Sequence, residues 1–412
     1  MAVRVESPLV LPNGAVIPNR LAKASMEENM AAHGQLPGEA IYGLYQAWAQ
    51  GGAGLILTGN VMIDARALTG PGGIVLEART PLEPFKRWAQ VAKSGGAQVW
   101  MQINHPGRQV QASMGGLAWA PSAVSLQLGP HSHRFVTPKA MSEADIEETI
   151  RRFGDSAAQA ELAGFHGVEI HAAHGYLLSQ FLSPLTNRRE DGWGGSASKR
   201  ARLLLEVVKE IRRRVLPGFV VAVKLNSADF QRGGFEATDA REVVGWLNEL
   251  AVDLVELSGG SYESPAMQGQ AADGRSMARE AYFLEFATSI AAVARMPVMT
   301  TGGIVRRTVA EQVLAQGVAV VGMATALAIA PDLPRRWIAG EDTVATVQQV
   351  DWTDKLKASL ARMSLIKRRL RALGAGQRPA ASYSPLLSLV LDQLRLRRLT
   401  RRYGKWLAGQ PF

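Results

Sequence analysis

His171, His174 and Tyr176 fall within one short segment, directly after an apolar run, Val168-Glu169-Ile170. That run reads as a short buried strand. Two imidazoles and a phenol at one strand terminus can all point into one pocket. There they supply hydrogen-bond donors for a substrate oxygen and a proton for a neighbouring carbon. This is a kit for polarising a carbonyl or nitro group. His171 and His174 form an H-x-x-H pair that could share a metal, but no third ligand stands at a suitable spacing, so no metal is assigned.

Groups of this kind need a scaffold that holds them. The chain has 412 residues, enough for two average domains or one large α/β barrel with additions. Its 47% hydrophobic content supports a substantial core. Cysteine is absent, which removes disulfides, thiol nucleophiles and cysteine-ligated clusters. The N-terminal stretch shows no signal-peptide pattern, and no run approaches the roughly 20 apolar residues of a membrane span. A cytoplasmic location is therefore expected. The net charge of +10 belongs to the tail: from Asp351 onward there are 14 Lys and Arg against three acidic residues. The body before it is close to neutral.

Residues from about 20 to 340 alternate short apolar runs with longer helical patterns. The runs lie at Leu21–Ser25, Gly54–Thr58, Ala97–Ile103, Gly167–His171, Phe219–Leu225, Val252–Ser258, Met296–Thr301 and Val318–Gly322. Helical patterns follow near 39–51, 82–94, 143–164, 198–214, 238–250, 280–294, 307–316 and 326–339. The third begins on a capping box, Ser142-x-x-Asp145. Eight β–α pairs in succession predict a (β/α)8 TIM barrel, here over residues 1–345, with a basic helical C-terminal extension over 346–412. A doubly wound sheet fits less well, because no GxGxxG marks a first strand–helix turn. The stretch from about 104 to 140 is long for a loop and would lie over the active face.

In such a barrel the C-terminal strand ends converge on one site. Those ends present Ala24, Ser25, Met26 and Glu27, then Asn60, Gln102, the histidines with Tyr176, and Lys224. The last strands end in glycines, Gly302-Gly303 and Gly322-Met323. Bare backbone N–H groups there suit a phosphate. A phosphorylated ligand filling the mouth beneath histidines is a flavin mononucleotide arrangement.

At this point the sequence resembles the Old Yellow Enzyme family of FMN-dependent NAD(P)H oxidoreductases, the ene-reductases, over roughly residues 5 to 340. The resemblance rests on Asn19-Arg20, on Gln102-Ile103-Asn104-His105-Pro106-Gly107-Arg108, and on His171-Ala172-Ala173-His174-Gly175-Tyr176. It continues through Phe181-Leu182-Ser183-Pro184, Asn187, Arg189, Asp191 and Gly194-Gly195. It implies that His171 and His174 hold the substrate's activating oxygen and that Tyr176 protonates the α-carbon. Gln102 would bind the flavin's polar edge, Lys224 would stand by N1 and O2, and Gly302, Gly303 and Gly322 would hold the phosphate. NADH or NADPH would reduce the flavin in a ping-pong cycle, and an electron-poor alkene, quinone or nitro compound would reoxidise it. Three positions depart from the family pattern. Glu27 stands where Thr or Cys is usual, Asn60 replaces a small residue, and Met323 stands where an arginine often grips the phosphate. Those departures motivate an alternative, a flavin-poor barrel acting as a scaffold through its basic tail.

In the tail, apolar residues recur at helical spacing over 351–373 and 386–403, with arginines on the remaining faces. Two helices packed on the barrel or on a partner subunit, as in a homo-oligomer, are expected. A basic amphipathic helix on an anionic membrane surface is the sharper alternative. Nucleic acid is not expected, since no recognised motif accompanies the charge.

Overall fold

The computed structural model describes residues 3–266 and 280–410. Eight parallel strands form its centre: β1 (Leu21–Lys23), β2 (Leu55–Leu57), β3 (Gln98–Asn104), β4 (Gly167–Ala172), β5 (Val220–Asn226), β6 (Leu254–Ser258), β7 (Val298–Thr301) and β8 (Val320–Met323). Each pairs in parallel with the next, and β8 pairs with β1 through Val321 opposite Leu21, so the sheet closes. Helices α1 (Glu39–Ala49), α2 (Glu83–Lys93), α3 (Glu143–Leu162), α4 (Ala197–Arg214), α5 (Ala237–Leu247), α6 (Leu284–Ala291), α7 (Arg307–Ala315) and α8 (Leu333–Ile338) follow the strands in turn. The expected (β/α)8 barrel is the observed fold.

Side-chain alternation along each strand explains the closure. One phase, including Ala22, Leu55, Leu57, Trp100, Val220, Ala222, Leu254, Met299 and Val320, fills the barrel interior. The other phase, including Val168, Ile170, Val221, Val223, Val255 and Leu257, packs against the helices. A two-strand antiparallel ribbon, Leu9–Val10 with Val16–Ile17, lies at the opposite end from the site. It contributes Leu11 and Ile17 to the interior cluster, and Asn13 donates to the Gly218 carbonyl at 3.0 Å.

Ser142 and Asp145 form the expected reciprocal cap on α3. The eighth helical pattern is split instead of continuous. A short helix, Thr325–Ile329, ends at Ala330, whose backbone is no longer helical, and α8 restarts after Pro331 with Pro334 in its first turn. A residue before proline is pushed out of the helical region, and proline fits a helix start.

The excursion between β3 and α3 folds over the strand ends. Arg189 holds it by donating to the carbonyls of Pro121 and Met141, and the Arg108 guanidinium pairs with Glu263. Two further helices, α9 (Lys355–Gly374) and α10 (Pro385–Leu407), form the tail. Helix α9 packs along α1, and α10 packs along α9. A Cβ on Gly43 would sit 2.4 Å from the Gly374 carbonyl oxygen, so glycine allows this close approach. The inner side of α10 rests on the loops after β1 and β2. Arg395 donates to the Asn29 carbonyl at 3.0 Å, Arg402 to that of Ala31 at 2.5 Å, and Tyr403 to that of Ala65 at 2.8 Å. None of the described helices is long and apolar enough to cross a membrane.

Candidate active site

The inward phase of the strands turns from apolar to polar at the C-terminal ends. Two residues beyond Trp100 stands Gln102, and beyond Ala222 stands Lys224. Leu254 is followed by Glu256 and Ser258, Met299 by Thr301, and Glu169 by His171. Alternation alone brings these side chains to one mouth.

They form a continuous floor. Ser25 Oγ donates to Gln102 Oε1 at 2.8 Å, and Gln102 Nε2 donates to Glu169 Oε2 at 2.6 Å. Glu256 Oε1 accepts from Lys224 Nζ at 2.7 Å and from Thr301 Oγ1 at 2.5 Å. The two carboxyl groups also hydrogen-bond each other, which accounts for Glu169 Oε1 and Glu256 Oε2, buried oxygens with no other partner. Burial and the neighbouring Glu256 push the Glu169 carboxyl far up, so it holds the proton. Burial opposes the charge of Glu256 too, yet Lys224 and the bonds from Glu169 and Thr301 hold it below the ordinary carboxylate range. Lys224 is therefore paired with an acid, not the isolated cation its position in the sequence suggests.

The wall above is the His171–Tyr176 turn. The His171 ring lies 5.0 Å from that of His174 and 4.9 Å from that of Tyr176, edge to face in both cases. His174 adopts φ +61°, an uncommon conformation for a non-glycine residue. Its surroundings over-determine that conformation: the N–H donates to Asn226 Oδ1 at 3.0 Å, the carbonyl accepts from Gln109 at 3.1 Å, and Nε2 meets Ser258 Oγ at 2.7 Å. Ala173 N–H donates to His171 Nδ1 at 3.3 Å, which places that ring's proton on Nε2. Burial pushes both histidines well below the usual imidazole value, so both are neutral. Burial, Tyr262 and Glu27 push the Tyr176 phenol up, so it keeps its proton. Its hydroxyl lies 3.2 Å from that of Tyr262.

Glu27 and Asn60 come together at the rim through Thr69. Thr69 Oγ1 donates to Glu27 Oε1 at 2.6 Å and accepts from Asn60 Nδ2 at 3.3 Å. Ala24 is buried in the interior, and Met26 is half-buried against the outer core. Met323 corrects an expectation. Its side chain lies in the outer core between sheet and helices, on the opposite phase from Gly322, and does not face the mouth. Only its carbonyl serves the strand end, accepting from Ala24 N–H at 2.9 Å.

At the last strands, Gly302 and Gly303 expose bare backbone to Tyr282. A Cβ on Gly303 would lie 2.5 Å from the Tyr282 hydroxyl, and one on Gly322 would lie 2.1 Å from Thr301 Oγ1. Beside them, Glu280 accepts from Val305 N–H at 2.9 Å and Arg306 N–H at 3.3 Å, and it pairs with the Arg306 guanidinium at 2.5 Å. Arg307 pairs with Glu311 at 2.9 Å. Both arginines are thus engaged with carboxylates.

The fold adds Glu169, Glu256, Tyr262, Thr69 and Glu280 to the residues the sequence points to, and it gives Ser258, at the end of its sixth apolar run, a contact to His174. Glu169 carried a usable sign, because it stands two residues before His171 and so shares its face. Tyr262 had none, since its approach to Tyr176 depends on how the loop after β6 folds back. Among the described residues no three His, Cys, Asp or Glu side chains cluster as a metal site.

A closed parallel barrel with neutral imidazoles, a phenol and an amide–ammonium floor at its mouth defines a class: α/β-barrel oxidoreductases that bind a flavin at the strand ends. The chain belongs to the NADH:flavin oxidoreductase / NADH oxidase family, whose model matches residues 7–343. It is 39% identical over 361 residues to an NADH-dependent flavin oxidoreductase of Neonectria sp. (strain DH2), covering 82% of this chain and 47% of that one. Its identity to the corresponding protein of Hypocrea jecorina is 35%, covering 80% and 87%. The chain thus spans about half the length of the first relative and most of the second. A solved 2-naphthoyl-CoA reductase, in complex with 2-naphthoyl-CoA, is similar with a TM-score of 0.75 and 26% identity, covering 82% of this chain and 52% of that one. An Old Yellow Enzyme homologue from Zymomonas mobilis shares the fold, with a TM-score of 0.70 and 23% identity, covering 84% and 95%.

The donor set suits FMN at its ring end, where a hydroxyl, an amide and an ammonium share one rim. The glycine backbone at β7 and β8 lies directly against Tyr282 and Thr301, which take the space beside it. At the phosphate end Glu280 already occupies two N–H groups, so an anion arriving there meets a carboxylate.

Proposed function

We propose that this chain is an FMN-dependent oxidoreductase that takes reducing equivalents from NADH or NADPH and reduces an electron-poor, enone-type alkene, with quinones and nitro compounds as further acceptors. The observation that supports this most is the convergence of His171, His174 and Tyr176 above the Gln102–Lys224 floor. Ser25, Gln102 and Lys224 would hold the flavin's polar edge, and the backbone near Gly302, Gly303 and Gly322 its phosphate. Bound FMN supplies the hydride-transfer chemistry, which the barrel only positions.

The chain's own residues handle the substrate oxygen and the protons. His171 carries its proton on Nε2. If Ser258 donates to His174 Nε2, that ring carries its proton on Nδ1, and each imidazole has one N–H for a carbonyl or nitro oxygen. Such donors stabilise negative charge developing on that oxygen as the β-carbon is reduced. Tyr176 then gives its proton to the α-carbon, and the Tyr262 hydroxyl steadies the resulting phenolate until solvent restores the proton. One mouth serving nicotinamide and alkene in turn gives ping-pong kinetics.

The scaffold alternative rests on Glu27 and Met323 weakening cofactor binding; the family match over residues 7–343 favours the enzyme. The test is anaerobic: NADH should bleach the flavin of the purified protein, and cyclohexenone should restore the colour. His171→Ala with His174→Ala should retain bleaching and lose the recovery. Unchanged recovery in that variant would overturn the assignment.

A further inference from the structure

We propose that the outward face of α10 docks on an anionic lipid bilayer. The inner face of this helix is used up by the protein: Ser388, Asp392, Leu399 and Tyr403 are buried against α9 and the loops after β1 and β2. The opposite face begins as an aliphatic ridge. Leu386, Leu387, Val390, Leu391 and Leu394 recur at helical spacing, and each is between 43% and 63% exposed. The same face continues toward the C-terminus as Arg397, Arg398, Arg401 and Lys405, all exposed.

Exposed apolar side chains are ordinary when scattered, but five on one helix face form a contact surface. Asp392, the helix's one acid, is turned inward and paired with Arg371 at 2.8 Å, so the outward face carries no negative charge. An apolar ridge running into a row of cations fits a bilayer interface, where aliphatic side chains enter the acyl boundary and cations meet phosphate headgroups. The ridge has no tryptophan, tyrosine or methionine, and leucine and valine are poor anchors at protein interfaces. A second copy of this chain would meet a body with nearly equal numbers of acids and bases, which offers the four cations little. The bilayer is the better match. Because α10 rests on the loops bearing Glu27 and Thr69, docking would hold the site's rim about one helix diameter, roughly 10 Å, from the lipid.

The test uses the purified full-length, FMN-loaded protein with sedimenting vesicles of phosphatidylcholine, with or without about one-third phosphatidylserine. Binding should require phosphatidylserine and fall as salt is raised, because exposed charges are screened. Each cation near an anionic surface is worth about a five-fold change in partition. Arg397→Gln, Arg398→Gln, Arg401→Gln and Lys405→Gln together should therefore lower it at least about a hundred-fold. Leu387→Asp with Leu394→Asp should abolish binding, while circular dichroism and NADH-driven flavin reduction stay as in the parent. No sedimentation with either vesicle, or sedimentation indifferent to both variants, overturns the proposal. A dimer in light scattering that Leu387→Asp with Leu394→Asp dissociates would give the ridge to a second copy instead, and also overturns it.

Discussion

The shared proton of Glu169 and Glu256 gives a sharp test of the site's floor. Lys224 is buried, and its ion partner is Glu256 at 2.7 Å. Glu256→Gln keeps the shape and deletes that charge. Glu169 then loses the neighbour that kept it protonated and still feels Lys224, so it ionises and becomes the counterion. The substitution should cost only about 1–2 kcal/mol, the scale of one charge-assisted hydrogen bond. Glu169→Gln alone exchanges one neutral group for another and should cost about 1 kcal/mol or less. The double variant leaves a buried lysine with no carboxylate within reach, for which roughly 3–5 kcal/mol is expected. The double loss should thus exceed the sum of the singles by about 1–2 kcal/mol, well beyond the roughly 0.5 kcal/mol scatter of independent sites. Urea unfolding of the flavin-free proteins at neutral pH is the right assay, because bound FMN would add its own mass-action term. Additive losses, or a double variant as stable as Glu256→Gln alone, would refute the shared proton.

Other outcomes follow from the same geometry. His171→Ala with His174→Ala should lower kcat/KM for an enone at least about 100-fold, as for loss of oxyanion donors, and Tyr176→Phe should slow product protonation, read by trapping in deuterated solvent. His105 is buried, and desolvation lowers it from 6.5 to about 4. The unfolded chain therefore binds a proton there that the folded one refuses. Stability should drop by about 3 kcal/mol as pH falls from 6.5 to 4, and His105→Asn should flatten that slope in acid urea titrations; an unchanged slope would clear His105. Glu280→Gln removes the carboxylate facing the expected phosphate and should tighten FMN binding by about ten-fold, one charge-assisted contact, measured by quenching of flavin fluorescence. Equal or weaker binding would show that the phosphate sits elsewhere.

The eight strands were legible because parallel barrel strands are apolar on both faces and stand out as runs. The His171–Tyr176 turn was legible because its polar groups are consecutive. Met323 misled because it neighbours Gly322 in sequence, while strand alternation sends it to the opposite face. Lys23 is hidden in the sequence for a related reason. It lies within an apolar run, yet it is buried on the helix side, donating to the Leu57 carbonyl at 2.6 Å, 3.7 Å from Glu28 and over the Trp48 ring. Burial lowers it to about 8 against the pull of Glu28. Partners so distant in sequence, like Glu169 and Glu256 or Tyr176 and Tyr262, are joined only by barrel closure and by loops that fold back.

Those hidden pairings change how the mouth can act. Read from its strand alone, Lys224 counts as a fixed positive charge. In the fold, its ammonium is offset by Glu256, and Glu169 adds nothing while it keeps its proton, so the floor sums to zero. Above it the imidazoles are uncharged and the phenol is protonated. Negative charge developing there is met by oriented N–H and O–H dipoles, not by a net cation. Dipoles held rigid in a buried site need no reorganisation at the moment of reaction, which is where such a site gains over water. The rigidity is visible at His174, whose backbone N–H, carbonyl and ring are each held by a different side chain.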